Sequence, residues 1–156
     1  MTGLARGMLY GAAAGAAGTT ALDSVTYLDM TFRGRPPSST PEATVERLAD
    51  DLNVAVPGDE AKRQNRVAGL GPLTGIAAGV AMGAVLGVAR AAGWRPPVAV
   101  SYTAAAVGAL IGTNGPMTVL KVTDPRTWAP TDWVADIVPH LAYAAVTVFV
   151  LRRLED

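Results

Sequence analysis

The amino-acid sequence predicts an all-α fold, an integral membrane bundle of four transmembrane helices with a polar loop that contains a short amphipathic helix. Three observations carry this. Half of the 156 residues are apolar and the mean hydropathy is +0.28, more apolar than is usual for a soluble domain. Residues 67–89 and 96–120 form two runs without a single charge, each long enough to cross a ~30 Å hydrocarbon core at 1.5 Å per residue. Glycine recurs at Gly71, Gly75, Gly79, Gly83 and Gly87, although each glycine costs a water-exposed helix ~1 kcal/mol against alanine. The chain is expected to be a single membrane domain.

The first span is placed over residues 7–30. Gly7 to Leu22 is uncharged and continues as "DSVTYLDMTF", which brings Asp23 and Asp29 to the membrane boundary. An alanine-rich start of this kind also suits a cleaved signal sequence. Arg6 is its only early positive charge, and its glycines mark a packing helix, so the segment is expected to stay attached.

A polar loop follows over residues 33–66, opening with the turn-rich "RGRPPSSTP". Within it "STPE" has the form of a capping box, Ser39 as N-cap and Glu42 three residues on, predicting a short helix to about Leu52. Val45, Leu48 and Leu52 share one face, while Glu46, Asp50 and Asp51 make the polar side acidic. Membrane-surface helices carry lysine and arginine there instead, which leaves two uses for this helix, docking on protein through that face or a solvated linker.

The second span is placed over residues 67–89 and the third over 97–114, where "GTNGP" reads as a helix end, with Asn114 or Gly115 as C-cap, or as a broken helix exposing carbonyls. The fourth occupies 133–151. It is interrupted by Asp136, Pro139 and His140, with a kink expected at Pro139, and is closed by Arg152 and Arg153, which can snorkel to the headgroups. Tyr10, Trp94 and Tyr102 then fall near one membrane face, and Tyr27, Phe32, Trp128 and Trp133 near the other, as interfacial aromatics do. Eight of the thirteen basic residues lie on the long-loop side, which favours a cytoplasmic loop in a multi-pass protein of the inner (plasma) membrane.

The glycine stripe has a physical explanation in lipid. No hydrophobic force pushes helices together there, so association relies on close van der Waals contact, which small residues four apart permit. Gly7, Gly11 and Gly15 repeat the device in the first span, and Ala104, Gly108 and Gly112 in the third, the pattern of a glycine zipper. Four residues advance 400°, so the stripe drifts ~40° per step. This predicts either a right-handed crossing or two different neighbours served by its two ends.

Almost every polar residue of the spans falls on the long-loop side: Asp23, Asp29, Asn65, Arg66, Asn114, Lys121, Asp132, Asp136 and His140. Because ionisable groups inside a membrane pair or line a wet cavity, they predict a polar vestibule open to that side. Asp132, Asp136 and His140 are spaced i, i+4, i+8. They could form a proton relay in which Asp136 fixes the His140 tautomer, a cation site, or a structural network with Arg66 and Lys121. One histidine and no cysteine argue against a metal.

Composition excludes other classes. Thirteen basic and thirteen acidic residues cancel, leaving no bulk charge to attract nucleic acid. Without cysteine there are no disulfides, thiolate metal sites or cysteine nucleophiles. "GLGPLTG" at Gly69 lacks the spacing of a dinucleotide loop. Neither an enzyme nor a cofactor is expected.

The stretches "GAAAGAAGTTALDSVTYLDMTFRGRPPSSTPE" and "NRVAGLGPLTG" resemble small membrane proteins of actinobacteria, and "DPRTWAPTDWVADIVPHLAYAAV" resembles the YagU-type family of bacterial inner-membrane proteins, with Trp133, Asp136 and His140 at the matching positions. The resemblance implies a membrane location and no particular activity. Two functions fit this sequence. One is an accessory or scaffolding subunit, contacting the lipid bilayer and a larger membrane complex or copies of itself. The other is a small channel or transporter for protons or a small solute, built on Asp23, Asp136 and His140.

Overall fold

The computed structural model describes residues 2–155, which are all-α. The helices are α1 (Gly3–Arg33), α2 (Thr40–Asp51), α3 (Glu60–Ala91), α4 (Val98–Val119) and α5 (Pro130–Glu155), with a 3-10 turn at Pro125–Thr127 before α5.

Three helices, α3, α4 and α5, are long and apolar enough to cross a membrane. The expected fourth, α1, is long enough at 31 residues but not apolar enough, because its uncharged part is alanine, glycine and threonine rather than leucine or valine. It is nevertheless central to the packing, running antiparallel along α3 and contacting α5 as well.

The loop helix forms as α2, but not by the predicted cap. Ser39 occupies the N-cap without a side-chain bond. Ser38 Oγ accepts from the Thr40 N–H at 3.2 Å instead, and Glu42 turns inward, where its Oε2 is buried without a partner. The predicted docking face is also rearranged. Thr44 and Val45 are buried, whereas Leu48 is 38% and Leu52 68% exposed, so only the first half of the face packs, against α3 of the same chain.

α3 begins at Glu60, earlier than the uncharged run, because Asp59 caps it: its carboxylate accepts from the Lys62 N–H at 3.0 Å and from Lys62 Nζ at 2.8 Å. At 32 residues the helix is ~48 Å long, more than a bilayer core requires. The Lys62 bonds hold the Asp59 carboxyl below its usual value of 3.8. A depressed carboxyl contributes stability above its unfolded pKa and loses it as pH falls through the folded one. Protection of the Lys62 and Arg63 amides, taken relative to their intrinsic exchange rates, is therefore expected at neutral pH and is expected to fall below ~pH 3.8, while Asp59→Ala removes it at neutral pH as well. Equal protection in the variant would show that this cap does not hold the helix start.

α4 corrects the reading of "GTNGP". The helix neither breaks nor ends there but continues through Pro116 to Val119. It closes on Lys121, in the left-handed conformation at φ 59°, with Lys121 N–H bonding the Thr118 carbonyl and Val122 N–H the Met117 carbonyl, a Schellman closure on a residue other than glycine. α2 and α3 close the same way on Asn53 and Gly93. Pro139 lies buried within α5, which is helical throughout.

The core is built mainly from alanine. Ala14, Ala105, Ala106 and Ala144 are buried together with Leu86, Val148 and Leu151. Cores of such small side chains require closely spaced helices, and the glycines provide the spacing. A Cβ on Gly15 would lie 2.5 Å from the Gly79 carbonyl oxygen, one on Gly83 2.6 Å from Gly15 Cα, and one on Gly87 2.8 Å from Gly11 Cα. The pairs Gly7/Gly87, Gly11/Gly83 and Gly15/Gly79 thus bring backbone onto backbone. Past Gly79 the helices diverge, Gly75 having nothing beside it, while Gly71 faces the backbone of Pro41 and Glu42 at the start of α2. The two ends of the stripe serve different neighbours. Gly108 meets only the Met82 side chain of α3 and Gly112 has nothing beside it, so no backbone-on-backbone approach forms at these two α4 positions.

Candidate functional site

The seam between α4 and α5 gathers the chemistry-bearing side chains. Asn114 Nδ2 donates to Asp136 Oδ2 at 2.7 Å, His140 Nδ1 lies 2.8 Å from the Asp136 carbonyl oxygen, and His140 Nε2 lies 3.3 Å from Thr113 Oγ1. His140 is 7% exposed. A carbonyl only accepts, so Nδ1 carries a proton; in the neutral ring Nε2 is then an acceptor for the Thr113 hydroxyl. That hydroxyl is also within reach of the Ala109 carbonyl, at 3.0 Å, and the Leu110 carbonyl, at 3.3 Å, so its single proton has three competing acceptors. The Asp136 carboxylate is 3.6 Å from Nδ1, beyond a hydrogen bond. The backbone of Asp136, not its side chain, therefore orients the imidazole, which corrects the relay geometry expected from the i, i+4 spacing.

Four of the other six predicted members of the vestibule are engaged elsewhere. Asp29 pairs with Arg33 and Arg35 where α1 ends. Arg66 donates to the Pro57 carbonyl, and Lys121 forms the α4 closure. Asp132 accepts from the Ala129 N–H at 3.0 Å, fastening the start of α5. Asp23 is half-buried on α1 and makes no hydrogen bond to Asp136 or His140. Of the nine polar residues read as one vestibule, only Asn114, Asp136 and His140 meet, with Thr113 added. No group of three or more metal-ligating side chains occurs among the described residues.

Two further polar contacts hold α5. Tyr143, 1% exposed, donates its hydroxyl to the Gly79 carbonyl at 2.6 Å, and its ring lies against the space where a Gly18 Cβ would sit. Near the chain ends Arg90 of α3 binds Glu155 of α5 through Nε at 3.0 and 2.9 Å and through Nη2 at 2.5 Å. Both contacts escape sequence reasoning. Gly18 sits three residues beyond Gly15, a detectable extension of the first stripe, but the carbonyl partner of Tyr143 has no sequence signature. Arg90 and Glu155 are 65 residues apart and look like separate helix-end charges.

Comparison with known proteins adds no relative: no protein-family model matches the chain, and neither the curated proteins nor the solved structures contain a detectable match. Function therefore has to be argued from the geometry.

The seam makes its own prediction. Asn114→Ala leaves a partly buried carboxylate without its donor, which is expected to destabilise the α4–α5 packing by about 2 kcal/mol. Thermal unfolding in detergent measures this, and an unchanged midpoint would mean that water replaces the amide without loss.

Proposed function

We propose that the chain is a multi-pass protein of the plasma membrane, with α1 completing a four-helix bundle, that serves as an accessory subunit of a larger membrane assembly. The observation that carries this is the first half of α3. Every residue from Ala68 to Ala77 except Gly71 is exposed, and ten successive residues cover all faces of a helix. A helix apolar all round is stable only when something apolar surrounds it. Lipid satisfies that need for Leu70, Leu73 and Ile76, but Gly75, and Gly112 on α4, leave notches with no atom beside them. Notches of that kind admit the backbone of another transmembrane helix. The uncharged lining restricts the partner to a membrane-embedded helix. Support for α1 as a membrane helix comes from its backbone contact with α3 through three glycine pairs.

The channel reading needs Asp23, Asp136 and His140 on one wet path, and nothing in the hydrogen bonding connects Asp23 to the other two. The seam acts as a polar clamp between α4 and α5.

Gentle extraction of the tagged full chain, followed by native mass determination, tests the proposal. An assembly larger than the monomer is expected, and Gly75→Leu or Gly112→Leu should reduce it to monomer without changing the unfolding midpoint. A monomeric wild-type chain, or variants that assemble unchanged, would overturn the reading and direct attention to proton flux through His140 variants.

A further inference from the structure

A cavity of about 540 Å³ lies where the C-terminal ends of α3 and α5 meet the N-terminal end of α4, at the opposite end of the bundle from the polar loop. Its lining includes Arg90, Arg95, Arg152, Glu155, Pro97 and Val98. Three guanidinium groups and one carboxylate leave a local charge of about +2, concentrated in a molecule whose formal net charge is +0.

Two features leave hydrogen-bond donors without protein acceptors around this cavity. Arg90 is 8% exposed, and although Glu155 takes its Nε and Nη2, its Nη1 is buried with no hydrogen-bond partner. Buried polar groups are ordinarily satisfied, and a charged donor left alone is costly. The second feature is the start of α4. Pro97 provides no side-chain cap, and the first helical bond at this end is from Ser101 N–H to the Pro97 carbonyl, so the amides of Val98, Ala99 and Val100 have no acceptor within the helix. Val98, the first of these, lines the cavity together with Pro97, so the positive end of the helix dipole borders it. Among the described residues Arg95 and Arg152 form no ion pair, and a guanidinium has the fork geometry for bidentate recognition of an anion.

The geometry points to a phosphate-binding site in this cavity, with Arg95 and Arg152 gripping the phosphate oxygens, the α4 amides completing the cradle, and Arg90, fixed by Glu155, supplying charge from below. The proposal is independent of the assembly surface around Gly75. Two sources carry the same chemistry. One is the headgroup of an anionic phospholipid, for which Trp94, 41% exposed next to Arg95, is placed as an interfacial residue is; the other is a soluble phosphate compound.

The test uses the full chain in detergent. Dioleoyl-phosphatidylglycerol added to the micelles is followed by native mass spectrometry, and inorganic phosphate by calorimetric titration. Arg95→Gln and Arg152→Gln are each expected to weaken binding about tenfold. Arg95 lies in the α3–α4 connection outside the core, so Arg95→Gln keeps the test valid should Arg152→Gln disturb α5. Retained lipid that is lost in the variants assigns the site to a headgroup, and saturable phosphate binding lost in the variants assigns it to a soluble ligand. Absence of both, or binding that the variants leave unchanged, overturns the proposal.

Discussion

Gly83→Leu is expected to separate α1 from α3. Even the single Cβ of Gly83→Ala would press on the Gly11 carbonyl oxygen and come within 2.6 Å of Gly15 Cα, and both are backbone atoms that cannot rotate aside. Overpacking of a core typically costs ~1–3 kcal/mol, and contact with backbone rather than a flexible side chain places the alanine variant near the upper end. For leucine the accommodating movement is a separation of the helices, which exposes the alanine core around Ala14 and the Tyr143 bond to the Gly79 carbonyl. Denaturation with SDS, followed by tryptophan fluorescence, should show a lower midpoint for Gly83→Ala and a larger fall for Gly83→Leu. Limited proteolysis in the 34–39 connection should then release α1. Gly75→Leu is the matched control, since nothing lies within 4 Å of its Cβ position. If Gly83→Leu and Gly75→Leu unfold alike, the close approach of α1 and α3 does not determine the fold.

The contrast between Gly83 and Gly75 shows what a sequence can reveal of this fold. Spacing every four residues identifies both glycines as members of one stripe, and the drift of that stripe predicts that its ends meet different surfaces. Which end meets which surface depends on where α1 diverges, and that is fixed by long-range packing against Tyr143 and Thr147 of α5, where Gly18 is buried. The helices themselves were largely legible because uncharged runs and turn residues mark them. Their ends were not: α4 passes Asn114 and Gly115 because a Schellman closure forms on Lys121, a residue with no special preference for the left-handed conformation. The apolar character of α1 was overestimated because absence of charge is a weaker signal than presence of large apolar side chains.

The polar residues were misjudged for a related reason. Assigning helix ends to one membrane side groups every nearby ionisable residue into one vestibule, but a side chain bonds the first suitable partner it reaches. For Asp29, Asp132 and Arg66 that partner is local: Arg33 and Arg35, the Ala129 amide and the Pro57 carbonyl. Asn114, Asp136 and His140, with Thr113, meet instead across α4 and α5. Local satisfaction drains a predicted cluster, and what remains is the seam.

The same reasoning makes the Arg90–Glu155 pair the most sensitive polar contact in the molecule. Their side chains are 10% and 15% exposed, so neither charge can return to water if its partner is removed. Breaking a buried pair typically costs ~3–5 kcal/mol, and a position near the helix ends places Glu155→Ala at about the lower figure. The expected result is a large fall in the SDS midpoint, with the ends of α3 and α5 losing amide protection together. The double variant Arg90→Met/Glu155→Leu should recover most of that loss, because two apolar side chains of similar volume carry no desolvation penalty. A double-mutant cycle separates the explanations. Strong coupling with a recovered double variant means that the pair sets the register of α3 against α5 at little net gain in stability. A double variant as unstable as Glu155→Ala means instead that the side-chain stems themselves pack the end of the bundle. In either case the cost of an unpaired Arg90 explains why a carboxylate stands among the guanidinium groups that line this cavity: it holds the buried Arg90 in place.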